Sequence, residues 1–192
     1  MEQKLDRQPQ AKQEAQAILR GLTPEEREAL LVKCWMSHDA RWFMAVAQAF
    51  GLEAASRLNG IAAREEGKVE ARRVLRAAGL GNPATIDDCL LAQQVLASLL
   101  TRDLVEYELV TLGDDALQFR VGSCFAHENV TRAGAIDQYD CGIFARVAGW
   151  WDAFGLPYEL EPPLGRCLKA QGRECAYTFR IAGHAPADAA PA

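Results

Sequence analysis

The chain contains no apolar run near the ~18 residues that a transmembrane helix requires, so no membrane span is expected. Lys and Arg form no long basic run, and a net charge of -5 argues against a nucleic-acid surface. There is no phosphate-binding G-x-x-x-x-G-K-[ST] loop and no dinucleotide-binding glycine pattern. Ser123 lies in no nucleophile-elbow motif, which leaves a serine hydrolase unsupported. No internal repeat is visible, and six cysteines in 192 residues fall far below a disulfide framework. The opening MEQKLDRQPQAKQEAQ is polar and has no apolar signal-peptide core. The expected compartment is therefore the cytosol, where thiols stay reduced.

What is present matches an ordinary globular protein: 49% apolar and 24% charged residues, enough for one domain with a proper core. Residues 1–22 read as a flexible or loosely helical arm. Thr23-Pro24-Glu25-Glu26 then opens a helix with a capping box, and Gly51 ends it. A second helical region runs from Leu52 to about Ala78, where Gly60 and Gly67 predict close packing or a break. Thr85 and Asp88 open a third helix that extends to Leu100.

Past Asp103 the apolar period changes to two. Val105, Tyr107 and Leu109 share one face, Gly113-Asp114-Asp115 turns the chain, and Leu117, Phe119 and Val121 return, which predicts an antiparallel hairpin. Cys124–Asn129 reads as polar and irregular at its start. A helix from about Gln138 to Phe154, apolar nearly all round, belongs at the centre of the domain, with Trp150 and Trp151 in the core. Tyr158–Glu161 reads as a short strand, and Cys167–Lys169 with Cys175–Ile181 as a second hairpin. Residues 184–192 read as a disordered tail.

Three cysteines, Cys141, Cys167 and Cys175, fall in the last quarter of the sequence. A tetrahedral zinc site takes four Cys or His ligands, and a tight turn brings Cys167 and Cys175 together. Cys141 starts the central helix, where a helix N-terminus favours the thiolate. For the fourth position the sequence offers His127, Cys124 or Glu161, and the Cys124-x2-His127 spacing suits zinc. The other reading of these thiols is that they pack as small hydrophobes. A second polar group, His38, Asp39 and Arg41, stands among Trp35 and Trp42. It reads either as a pocket wall, with Arg41 for a carboxylate ligand, or as a core histidine beside a surface ion pair. Glu128 and Asn129, next to His127, extend the candidate ligand-binding set, or else hydrogen-bond their own backbone.

The run Cys141-Gly142-Ile143-Phe144, with Gly149, Ala153-Phe154-Gly155 and Cys167-x7-Cys175, resembles the metal-binding half of 4-vinyl reductase domains. That resemblance implies zinc on the three cysteines, bracing a buried small-molecule pocket. The family's glutamate ligand would stand at Leu164 here, and Glu161 lies three residues upstream. Trp35-Met36-Ser37-His38-Asp39-Ala40-Arg41-Trp42-Phe43 and Cys124-Phe125-Ala126-His127-Glu128-Asn129-Val130, with the C-terminal cysteines, resemble an uncharacterised family, DUF6125. The C-terminal half is more distantly similar to L-2-amino-thiazoline-4-carboxylic acid hydrolases.

The expected fold is α+β: one domain over residues 23–183, with a helical layer (23–101) packed on an antiparallel sheet and a C-terminal half (102–183) like the 4-vinyl reductase domain. The expected function is a cytosolic, zinc-stabilised protein that binds a small molecule. His127 is taken as the fourth metal ligand, and the homodimer is kept open as the oligomeric state. The alternatives are a hydrolase of a small carboxylated heterocycle, or a structural protein whose thiols are only core.

Overall fold

The computed structural model describes residues 7–100 and 104–182. It is an α+β structure with six α-helices and one four-stranded antiparallel sheet among the described residues. The chain divides into two compact units, Met1–Trp42 and Phe43–Ala192. The expected tail at 184–192 lies outside the described residues.

The first unit holds α1 (Arg7–Arg20) and most of α2 (Pro24–Phe50). The stretch read as a flexible or loosely helical arm contains α1 from Arg7 to Arg20. The capping box forms as its residues predict. Glu26 Oε2 accepts from the Thr23 N–H at 2.8 Å, and Thr23 Oγ1 accepts from the Glu26 N–H at 3.2 Å. Despite its apolar stripe α2 buries no residue, and Leu31 is 72% and Trp42 67% exposed.

In the second unit α3 (Leu52–Ala77) runs unbroken through both of its glycines, and α4 (Ile86–Leu100) follows. The Thr85/Asp88 box caps α4, with Asp88 Oδ2 accepting from the Thr85 N–H at 3.0 Å. Strands β1 (Val105–Thr111) and β2 (Ala116–Cys124) form the expected hairpin, with Leu109 opposite Phe119. The rest of the unit comprises α5 (Phe125–Arg132), α6 (Gly142–Phe154), β3 (Tyr158–Glu161) and β4 (Ala176–Ile181). The sheet order is β1-β2-β4-β3.

Three expectations are corrected here. Cys124 is followed at once by a helix, α5, because Ala126 faces the core and the polar run His127-Glu128-Asn129 masks that helical spacing. Helix α6 begins at Gly142, not near Gln138, because Asp140 is held extended in an antiparallel bridge to Arg166. The second hairpin does not form. Strand β4 is flanked by β2 and β3, so neither edge is free for the segment at Cys167, which instead turns through a short 3-10 helix (Lys169–Gln171).

Helix α6 is sandwiched between α3 and the sheet, which explains its apolar circumference. On the sheet side Phe144 meets Phe119 edge-on at 5.5 Å, and Trp151 stacks on Phe179 at 4.8 Å. On the other side the α3 and α6 backbones nearly touch. A Cβ on Gly67 would lie 2.1 Å from the Arg146 carbonyl oxygen, and one on Gly149 would lie 2.1 Å from that of Arg64. A buried polar cluster locks the crossing: the Glu70 carboxylate accepts from Arg146 Nε at 2.7 Å and from Trp150 Nε1 at 3.1 Å. Gly155, at φ 81°, ends α6 in the left-handed region. No described helix is long and apolar enough to cross a membrane.

The crossing yields a paired test. Gly67→Ala is expected to cost about 3 kcal/mol, because backbone must move to admit the methyl. Gly60→Ala, where nothing lies within 4 Å, is expected to be neutral or to stabilise by up to ~1 kcal/mol. Denaturant unfolding of both variants checks this, and equal stability of the two would contradict the close contact.

Candidate functional site

Four cysteines line one small enclosed cavity: Cys124, Cys141, Cys167 and Cys175. Backbone pairing brings them there from distant parts of the chain. Cys124 is the last residue of β2 and the N-cap of α5, while Cys141 is the N-cap of α6. The Cys141 N–H donates to the Gly165 carbonyl at 2.9 Å, and the Cys167 N–H donates to that of Tyr139 at 3.2 Å. These two bonds flank the Asp140–Arg166 bridge and set Cys141 beside Cys167. The turn after Cys167 closes with the Arg173 N–H on the Leu168 carbonyl at 3.0 Å, and the Cys175 carbonyl then accepts from Val121 at 2.8 Å. Cys175 is thereby fixed against the end of β2.

The free volume of this cavity is about 10 Å³. That suits one water or one ion and no organic molecule. His127, Tyr139 and Lys169 also line it, and no carboxylate does. Lys169 Nζ donates to the Gly122 carbonyl. Burial pushes the Cys175 thiol up to about 12, and the neighbouring Cys124 and Cys167 push the same way. Burial likewise raises Cys141 and Cys124, against the pull of backbone N–H groups: that of Phe144 on Cys141, and those of His127 and Ala126 on Cys124. Neither sulfur closes a capping hydrogen bond on its own helix. Among the described residues, no three His, Cys, Asp or Glu side chains are close enough together to form a metal-holding group. The four cysteines and His127 that line the cavity are residue types that zinc takes as ligands.

The other candidates lie elsewhere. Glu161 is exposed on the edge strand β3, outside the cavity. Glu128 and Asn129 are exposed on α5, and Asn129 Oδ1 accepts from Arg132 Nη1 at 2.9 Å. His38, Asp39, Arg41 and Trp42 are all exposed on α2, so His38 is not a core histidine. His38 Nδ1 stands 3.7 Å from Asp39 Oδ1, and Arg41 Nη1 donates to the Ser37 carbonyl at 3.1 Å.

A second feature had no sequence signal. An open groove of about 760 Å³ runs past the C-terminal end of α6, with Leu156, Leu160 and Leu164 on its walls. Its polar side is a pair joining α3 to α6. Arg64 Nε and Nη2 donate to the two Asp152 oxygens at 2.7 and 2.8 Å, and the Tyr158 hydroxyl donates to Asp152 Oδ1 at 2.9 Å. Burial acts to raise the Asp152 carboxyl, but Arg64, Tyr158 and Lys68 outweigh it and hold the group below the usual carboxylate range. The spacing of Arg64 from Asp152, 88 positions along the chain, explains why no local pattern announces the pair.

Fold and site together define an α+β protein with a buried four-thiol cavity at one end of its central helix and an open groove at the other. The chain belongs to a family of unknown function (DUF6125), whose model matches residues 24–148. No curated protein matches the chain at a significant level. The matched segment includes Cys124, His127 and Cys141, and it ends inside α6, before Cys167 and Cys175.

Thiol chemistry tests this placement. Cys34 is exposed and Cys141 half-buried, whereas Cys89, Cys124, Cys167 and Cys175 are buried. A bulky aromatic disulfide reagent is expected to give one fast phase, which Cys34→Ser abolishes, with half-buried Cys141 reacting more slowly and the four buried thiols only on unfolding. A fast phase that survives in Cys34→Ser would place a cavity thiol at the surface.

Proposed function

We propose that this is a metal-stabilised small-molecule-binding protein of the cytosol. Zinc is its metal, held by Cys141, Cys167, Cys175 and a fourth ligand from the Cys124–His127 segment. The observation that carries the reading is the meeting of cysteines from β2, α6 and the turn before β4 around one ion-sized space. A metal there ties three segments of different sequence neighbourhoods into one centre. The resemblance of the C-terminal half to 4-vinyl reductase domains supports the same assignment.

The thiol cavity is too small for an organic ligand, so the small molecule is assigned to the groove at the other end of α6. Apolar walls with a few fixed polar groups are the common composition of such sites. The Arg64–Asp152–Tyr158 cluster supplies those polar groups, and three leucines supply the apolar wall.

Elemental analysis of purified protein is expected to give about one zinc per chain. Chelation, or Cys167→Ser, is expected to lower the melting temperature by about 10 °C, the scale of a tight ligand lost from a chain of this length. Metal-free protein whose Cys167→Ser variant melts like the parent overturns the reading.

A further inference from the structure

We infer that the centre is a tetrathiolate, with Cys124 and not His127 as the fourth zinc ligand, and that the Tyr177 hydroxyl donates to one of its sulfurs as a positioning residue. This rests on the metal reading above and specifies its ligand set.

The first observation is an unpaired donor. Tyr177 is 1% exposed, and its hydroxyl has no hydrogen-bond partner among the described residues. It stands two residues from Cys175 in the same alternating buried set, and its ring lies 4.0 Å from that of Phe144, which lines the cavity. A buried hydroxyl without a partner costs about 1–3 kcal/mol. A neutral thiol is a weak acceptor, whereas a zinc-bound thiolate is a full one. Tyr139 repeats the pattern. It is 5% exposed, its hydroxyl accepts from the Gly142 N–H at 3.2 Å, and it faces Cys141, Cys124 and Cys167. Its own O–H remains to be donated.

The second observation is the sign of everything else at the cavity. Lys169 lines it, two helices begin there with their first N–H groups turned toward Cys124 and Cys141, and no carboxylate is present. Four thiolates on one zinc carry a net charge of −2, and this surround of donors and one ammonium suits that charge. On binding, each thiol gives its proton to solvent and its sulfur lone pair to the metal, with no oxidant or reductant required.

The third observation separates Cys124 from His127. Cys124 is buried where β2 ends and α5 begins, whereas His127, further along that helix, is only half-buried. Both side chains line the cavity, and the thiol is the one wholly withdrawn from solvent.

The test uses the full chain loaded with zinc, and with cobalt(II) as a visible stand-in. X-ray absorption of the zinc protein is expected to show four sulfurs at about 2.3 Å and no imidazole scattering. Cys124→Ser is expected to lose about a quarter of the thiolate-to-cobalt charge-transfer intensity, one sulfur in four, and His127→Ala to leave it unchanged. Tyr177→Phe is expected to keep the cobalt spectrum and bind zinc roughly 10-fold more weakly. Melting of the metal-free Tyr177→Phe protein should be unchanged or higher, since the orphaned hydroxyl is gone. A purely structural Tyr177 would instead lower metal-free melting and leave affinity alone, which overturns its role. Metal bound with three sulfurs and one imidazole, or lost in His127→Ala, overturns the tetrathiolate while sparing the metal reading. A parent protein that binds neither metal overturns both. Should Cys124→Ser fail to fold, the absorption measurement on the parent decides the ligand set.

Discussion

The near-contact of α3 and α6 at Gly67 and Gly149 is the constraint on which the rest of this structure depends. With no side chain at either position, the Arg146 carbonyl lies where a Gly67 Cβ would be, and the Arg64 carbonyl where a Gly149 Cβ would be. That depth lets Glu70 reach across to both Arg146 and Trp150, so the crossing is fixed by polar bonds as well as by shape. It also presses the opposite face of α6 onto Phe119, Tyr177 and Phe179, where Phe144 and Trp151 fill the space. Towards its start α6 is steadied again by α3: Ser56 Oγ accepts from the Asp140 N–H at 2.6 Å, and Asn59 crowds Gly142. The position of Cys141 is therefore set by α3, although the two share no sequence neighbourhood.

The two ends of α6 have opposite electrostatic character. At the groove end Arg64 is met by both oxygens of Asp152, so each charge is balanced by a partner. At the thiol end Lys169, Tyr139 and the starts of two helices share a cavity with four cysteines, and among the described residues no carboxylate lines it. A cavity so furnished favours negative sulfur, and burial of the thiols opposes it. A divalent cation removes that conflict, since it stabilises the thiolates while sparing the interior an uncompensated charge. The proposed metal would thus resolve a tension built into the site by its own side chains.

Local signals in the sequence were legible, and distant pairings were not. Both capping boxes and the β1–β2 hairpin rest on residues within a few positions of one another, and they form as their pattern dictates. The second hairpin was misread because a C-x7-C spacing closes equally well through a 3-10 turn, and only the neighbours of β4 decide between the two. Helix α2 shows the complementary failure. Its stripe through Leu31, Trp35 and Trp42 has the spacing of a buried face, yet the helix buries no residue. Periodicity reports that an apolar face exists and says nothing about what covers it. At the site, the cysteines stood out by type and spacing. Tyr139, Tyr177 and Lys169 did not, because their relation to the thiols arises only when the chain is folded.

The location of the thiols in the topology gives the centre its mechanical meaning. Strand β4 lies inside the sheet, between β2 and β3, and it is reached only through the turn that Cys167 and Cys175 bracket. That turn is held by backbone bonds across 167–173, by Gln171 Nε2 on the Arg166 carbonyl, by the Asp140–Arg166 bridge, by Lys169 on Gly122 and by the Val121 N–H on the Cys175 carbonyl. Loop closure by a cross-link opposes the chain entropy of such a segment most effectively when the linked residues are far apart in sequence. A metal joining Cys124 and Cys141 to Cys167 and Cys175 is a cross-link of that kind. It would fasten the strand that carries Tyr177 and Phe179 to the helix that packs on them, and so hold α6 between its two partners from the thiol end to the groove.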